Sequence, residues 1–183
     1  MKKTITLSIL TFVWTLLLNG QTCDRFFPTT ITYDDDFLDL HYDNFSTGNH
    51  YKIHHRDPVP GETVNTDLNV IDIKKPIIVI EGYDISFYES CDDIYDHYIN
   101  YGGLGDNLRA NGYDIITFNL SAPMAALQPN ALIFANFIEF INENKTGDEE
   151  LIIMGVSMGG LITRYALTYM EENNIQHQPH IRS

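Results

Sequence analysis

The 183 residues predict an α/β fold, a parallel sheet flanked by helices, on three observations. Ile77, Ile78, Val79 and Ile80 form an unbroken β-branched run, the composition of a strand buried on both faces. Runs at 115–118 (Ile, Ile, Thr, Phe) and 151–154 (Leu, Ile, Ile, Met) repeat that composition. Helical patterns lie between and after these runs, and strand alternating with helix is the order of a sheet built from parallel crossovers.

Taken in order, residues 1–20 lie outside that fold. Lys2 and Lys3 precede an apolar stretch at 5–18, which as a helix would span about 21 Å at about 1.5 Å per residue. The hydrocarbon core is about 30 Å thick, so the stretch reads as a signal peptide, cleaved after Gly20, and not as a membrane anchor. The mature chain is therefore expected to be secreted or periplasmic, with no membrane span left. Lipid attachment at Cys23 is not expected, because Gly20, Gln21 and Thr22 are a poor match to the small-residue context it requires.

Residues 21–70 read as a polar extension with turn signals at Thr47-Gly48-Asn49 and Pro58-Val59-Pro60-Gly61. Short alternating pieces at 30–33 and 69–73 are expected as strands. Residues 71–183 carry the main domain. After the strand at 77–80, a helix over 106–110 stops at Asn111-Gly112. The strand at 115–118 leads to a helix expected to begin after Pro129, with Ala131, Phe134, Ala135, Ile138 and Ile141 on one stripe of period 3.6. The strand at 151–154 feeds a last helix running to about Asn173.

Composition narrows the function. Acidic residues number 25 against 11 basic, a formal net charge of −14. A surface of that sign repels polyanions, so nucleic acid is not an expected partner. Cys23 and Cys91 are too few for a disulfide scaffold; export permits them to oxidise, and their spacing leaves open whether they pair. His50, His54 and His55 have ligand-type side chains, but no closing carboxylate stands at a recognisable spacing, and no metal or cofactor is expected. Asp34-Asp35-Asp36 and Asp92-Asp93 read as solvated faces in preference to calcium sites. Phe87, Tyr88, Tyr95, Tyr98 and Tyr101 read equally as a lid or acyl-binding wall and as core. Ser121-Ala122-Pro123-Met124 is expected to line a cleft at the strand C-termini.

One motif carries specific chemistry: Gly155-Val156-Ser157-Met158-Gly159-Gly160. It follows a predicted strand and opens a predicted helix, the context that separates a nucleophile elbow from a glycine-rich turn with an incidental serine. Ser157 must sit on a sharp strand-to-helix turn, so Gly155 and Gly159, two residues to either side, must be small. Gly160 is expected to let the helix approach the sheet. The turn lifts the Ser157 hydroxyl to the positive end of a helix dipole, where the Met158 N–H is expected to meet an oxyanion. The second donor is expected from the loop after 77–80, where Gly82 permits close approach and Tyr83 N–H is the candidate. The alternative there is a glycine that merely ends a buried strand. Glu81 would need partners if buried.

With these residues in view, 76–174 resembles the first half of an α/β-hydrolase of the lipase/esterase type. Ser157-Met158-Gly159-Gly160-Leu161 with Arg164-Tyr165 is similar to secreted lipases. The resemblance implies Ser157 as nucleophile, Met158 and Tyr83 as oxyanion donors, and a small-molecule or lipid ester as substrate. Val156 and Glu81 depart from it, since lipases often have histidine at both places. In that family the acid and the histidine follow the serine. His177 and His180 lie beyond a helix of about 24 Å that starts at Ser157, whereas a base must approach to about 3 Å. The expectation is therefore an N-terminal portion of a longer hydrolase, truncated after the elbow helix, inactive by itself, with an open sheet edge. The competing expectation is a non-catalytic binding protein that keeps the hydrolase shell.

Overall fold

The computed structural model describes residues 25–27, 49–67, 70–82, 90–120 and 126–175. The signal stretch, the strand expected at 30–33, Asp34 to Asp36, Phe87, Tyr88 and residues 121–124 lie outside them.

Five strands form one sheet: β1 (Arg25–Phe27), β2 (Asn49–His54), β3 (Pro76–Ile80), β4 (Asp114–Asn119) and β5 (Ile152–Gly155), in the order β1-β2-β4-β3-β5. β4, β3 and β5 are parallel. β2 joins β4 antiparallel, and β1 joins β2 antiparallel. The expected parallel strands β4, β3 and β5 form, and the antiparallel β2 and β1 make the sheet as a whole mixed. Part of 21–70 is not an appendage to it but supplies two of its strands. β2 places Asn49, Tyr51 and Ile53 inward, while His50, Lys52 and His54 are half-buried. That polar alternation weakens the strand signal, whereas β3, buried at every residue, shows it plainly. The expected strand at 69–73 does not form: residues 70–73 are described and extend no sheet.

Both sheet faces are covered. Ile78, Ile80, Ile116 and Phe118 face α3 (Leu127–Asn144) and α4 (Met158–Glu172), which contribute Phe134, Phe137, Ile138, Ile141, Ile162 and Ala166. Ile77, Val79 and Ile115 face the opposite layer, with Ile94, Tyr95 and Ile99. That layer is built from α1 (Cys91–Ile94), a π-helical turn (Tyr95–Ile99), a 3-10 turn (Tyr101–Gly103) and α2 (Leu104–Ala110). Alternate residues of one strand enter opposite cores, so the run reads as continuously apolar. α3 begins at Leu127, before Pro129 and not after it. A proline is tolerated there because the first-turn N–H groups have no intrahelical acceptor. α1 is fixed by a capping box between Ser90 and Asp93.

The aromatic set divides. Tyr95 is core, with its hydroxyl donating to Asp106 Oδ1 at 2.8 Å; Tyr98 is partly buried, and Tyr101 is 87% exposed. Cys91 is fully buried and disulfide-bonded; the chain's one other cysteine, Cys23, lies outside the described residues. Asp92 pairs with Lys52 at 3.0 Å. Among the described residues no helix is long and apolar enough to cross a membrane.

His54 makes the fold sensitive to pH. Its ring stacks on Tyr95 at 4.2 Å between centroids, and Nε2 lies 3.1 Å from Thr117 Oγ1. Burial lowers its pKa from 6.5 to about 4. Between those values the unfolded chain binds a proton that the folded chain does not, so stability falls as pH drops through that window. The expected loss from pH 7 to pH 4 through this residue is about 3 kcal/mol. Denaturant unfolding at pH 7 and pH 5 should show the loss in the wild type and a smaller one in His54→Phe, which keeps the ring stack without the titrating group.

Candidate active site

Strand β5 ends at Gly155, and two residues later, after Val156, Ser157 caps α4 with φ 50° and ψ −117°. A side-chain-bearing residue rarely adopts that backbone, and it is held here by bonds on both sides. Val156 N–H donates to Ile80 O at 3.1 Å, which extends the β3–β5 ladder to the turn. Gly159 N–H donates to Val156 O at 2.8 Å and Gly160 N–H to Ser157 O at 3.1 Å, which tightens the first turn of α4. Met158 N–H precedes both, at a position whose donor a helix cannot satisfy internally. Ser157 itself is exposed.

The four glycines named from the sequence meet at this turn, and they are not equivalent. A Cβ on Gly155 would lie 2.6 Å from the Gly159 carbonyl and the Gly160 Cα. One on Gly159 would run into the backbone oxygens of Glu81 and Ile80. One on Gly82 would lie 3.0 Å from Ser157 Cβ and from Val156 O, so the β3 exit passes directly beside the serine. Gly160 is the least demanding, with Gly155 O at 3.4 Å. Gly159→Ala is therefore expected to push α4 off the end of β3, at a cost of about 1–3 kcal/mol. Gly160→Ala should cost well under that, and the two denaturation midpoints, compared directly, check the difference. Tyr83, the candidate second donor, lies outside the described residues.

Glu81, immediately before Gly82, is 1% exposed, and its Oε1 accepts the Leu120 N–H at 3.0 Å. The sequence flagged it only as a carboxylate that would need partners. The signal available was an acidic residue closing an apolar strand.

The histidines of the β2 region do not reach Ser157. His50 pairs with Asn119, at the same end of the sheet as the elbow. Yet β4 and β3 stand between β2 and β5, so three strand spacings, about 14 Å in all, intervene. His54 lies toward the other end of β2, opposite Ile115, and His55 Nδ1 is 3.4 Å from Asp114 Oδ1. No group of three or more His, Cys, Asp or Glu side chains converges as a metal site among the described residues. His177 and His180 lie outside the described residues. A separate cleft of about 420 Å³, lined by His55, Asp57, Thr63 and Arg109 among others, opens near the N-terminal end of β4, away from the elbow.

A family model described as alpha/beta hydrolase fold matches residues 75–177, more than half of the chain. The match runs from the start of β3 past the end of α4 and includes the whole turn around Ser157. No curated protein and no solved structure matches the chain.

Proposed function

Because the chain belongs to the alpha/beta hydrolase family, we propose that it is an exported serine hydrolase of carboxylic esters, lipase- or esterase-like, that works through an acyl-enzyme at Ser157. The observation that carries this reading is the exposed Ser157 held at φ 50° between a strand and a helix, with Gly82 packed beside it. A turn that only reversed the chain has no use for a serine in so costly a conformation.

In the proposed reaction Ser157 Oγ attacks the ester carbonyl carbon and gives up its proton to a histidine proposed to lie beyond residue 183. Negative charge gathers on the carbonyl oxygen, where Met158 N–H, at the positive end of α4, and Tyr83 N–H stabilise it. The carbon–oxygen bond to the alcohol breaks as the alcohol takes up the proton. Water, activated by the same base, then cleaves the acyl-serine ester and restores the hydroxyl. The chain's acidity suits neutral ester substrates better than anionic ones. Residues 1–20 would direct the protein to the secreted or periplasmic space as a cleaved signal peptide.

The test is to treat the protein made from its natural gene with an alkyl fluorophosphonate, which phosphonylates activated serines. The expected result is one adduct, located on Ser157 by peptide mass, together with loss of p-nitrophenyl ester hydrolysis. A folded protein that takes up no adduct and hydrolyses no ester would overturn the reading in favour of a binding protein on a hydrolase shell.

A further inference from the structure

Beside the elbow, the structure assigns Glu81 as a positioning residue: its buried carboxylate replaces a rung of the sheet at the point where the chain leaves β3 for Ser157. This inference rests on the serine-hydrolase reading of that site.

The parallel ladder between β3 and β4 ends with Ile80 opposite Phe118. Had it continued, Glu81 and Gly82 would have run on beside Asn119 and Leu120. Instead Gly82 lies against Ser157 and Val156, on the β5 side. Turning away leaves the Leu120 N–H beyond the last rung, and Leu120 is itself 2% exposed. A buried N–H without an acceptor is costly, and the Glu81 carboxylate supplies that acceptor at 3.0 Å.

Meanwhile the Glu81 backbone is held from the other side. Gly159 of α4 packs on the Glu81 and Ile80 carbonyls, and Ile80 O accepts the Val156 N–H. Glu81 is thus fixed by its side chain to the exit of β4 and by its backbone to the elbow. The next residue, Gly82, has little freedom in where it passes Ser157. Any oxyanion donor in the segment that follows inherits its position from this anchor. A hydrogen-bonding acceptor is what the arrangement requires, and the carboxamide of glutamine provides one of the same length.

Wild type, Glu81→Gln and Glu81→Leu, each made from the natural gene, separate the possibilities. Fluorophosphonate labelling rates and kcat and KM on a p-nitrophenyl ester are measured alongside thermal unfolding. Glu81→Gln is expected to stay within about threefold of wild type, since it keeps an oxygen for Leu120 N–H. Glu81→Leu is expected to remain folded and lose about 10²-fold in kcat and in labelling rate, with KM nearly unchanged, as a displaced catalytic group does. If Glu81→Leu labels at the wild-type rate, or if Glu81→Gln falls as far as Glu81→Leu, the positioning role is overturned. Should Glu81→Leu not fold, Glu81→Gln with Glu81→Ser, too short to reach Leu120, makes the same comparison. A wild type that is never labelled overturns the hydrolase reading itself, and this role with it.

Discussion

Replacing Ser157 by glycine is expected to abolish ester hydrolysis and at the same time to stabilise the folded protein. The serine holds φ 50° and ψ −117°, a conformation that costs a side-chain-bearing residue about 1–3 kcal/mol. Glycine adopts it with little strain, although its looser unfolded chain gives back about 0.5–1 kcal/mol. The net expectation is a gain of about 1 kcal/mol. Ser157→Ala keeps the Cβ and therefore the strain, so it should be nearly neutral in stability. Both variants remove the hydroxyl proposed as nucleophile, and loss of a serine nucleophile costs about 10⁶-fold in kcat where the remaining machinery is intact. Denaturant midpoints and ester hydrolysis rates for the three proteins test the pair of claims. If glycine is less stable than alanine, the backbone at 157 is not strained; if alanine retains activity, Ser157 is not the nucleophile.

The second large effect lies at the opposite end of the sheet and should leave the chemistry alone. Arg56, with a side chain only 2% exposed, donates from Nη1 to Asp114 Oδ2 at 2.6 Å. Its Nη2 donates to Glu62 Oε1 at 2.8 Å and Asp72 Oδ1 at 3.0 Å. Asp114, the first residue of β4, is completely buried and also accepts the Arg56 and Lys74 backbone N–H groups. Together these bonds fasten the chain from 56 to 74 across the N-terminal ends of β3 and β4. Arg56→Met fills similar space but strands Asp114 as a buried charge, and breaking one partner of such a pair costs about 3–5 kcal/mol. Arg56→Lys restores the charge without the planar fork, which here serves three carboxylates at once, so it should recover only part of the loss. Urea unfolding should show a lower midpoint with an unchanged slope. A shift under 1 kcal/mol in Arg56→Met would show that the network contributes little.

Much of the architecture is legible in the sequence because its signals are local. The β-branched run at 77–80 and the helical stripe from Ala131 to Ile141 each report burial through residues a few positions apart. The elbow is legible for the same reason: Gly155 is crowded by Gly159 and Gly160 within a single turn, although the need for glycine at 159 comes from the Glu81 and Ile80 carbonyls of β3, far away in sequence. β2 escaped notice because His50, Lys52 and His54 sit on its half-buried face and dilute the apolar pattern. The strand anticipated at 69–73 did not form, since there the chain is engaged with Arg56 through Asp72 and does not join a sheet.

The sequence by itself determined the three parallel strands, the helices between them and the strained turn at Ser157, since each follows from side-chain shape and periodicity within a short window. Tertiary structure alone decided the antiparallel seating of β1 and β2, the oxidation of Cys91, the Arg56–Asp114 pair and the Glu81–Leu120 bond. The two residues of the ion pair lie 58 positions apart and those of the backbone anchor 39. Hydrogen bonds and ion pairs act only over a few ångströms. No local pattern therefore announces them, and each exists because the order of strands in the sheet brings distant segments to the same edge.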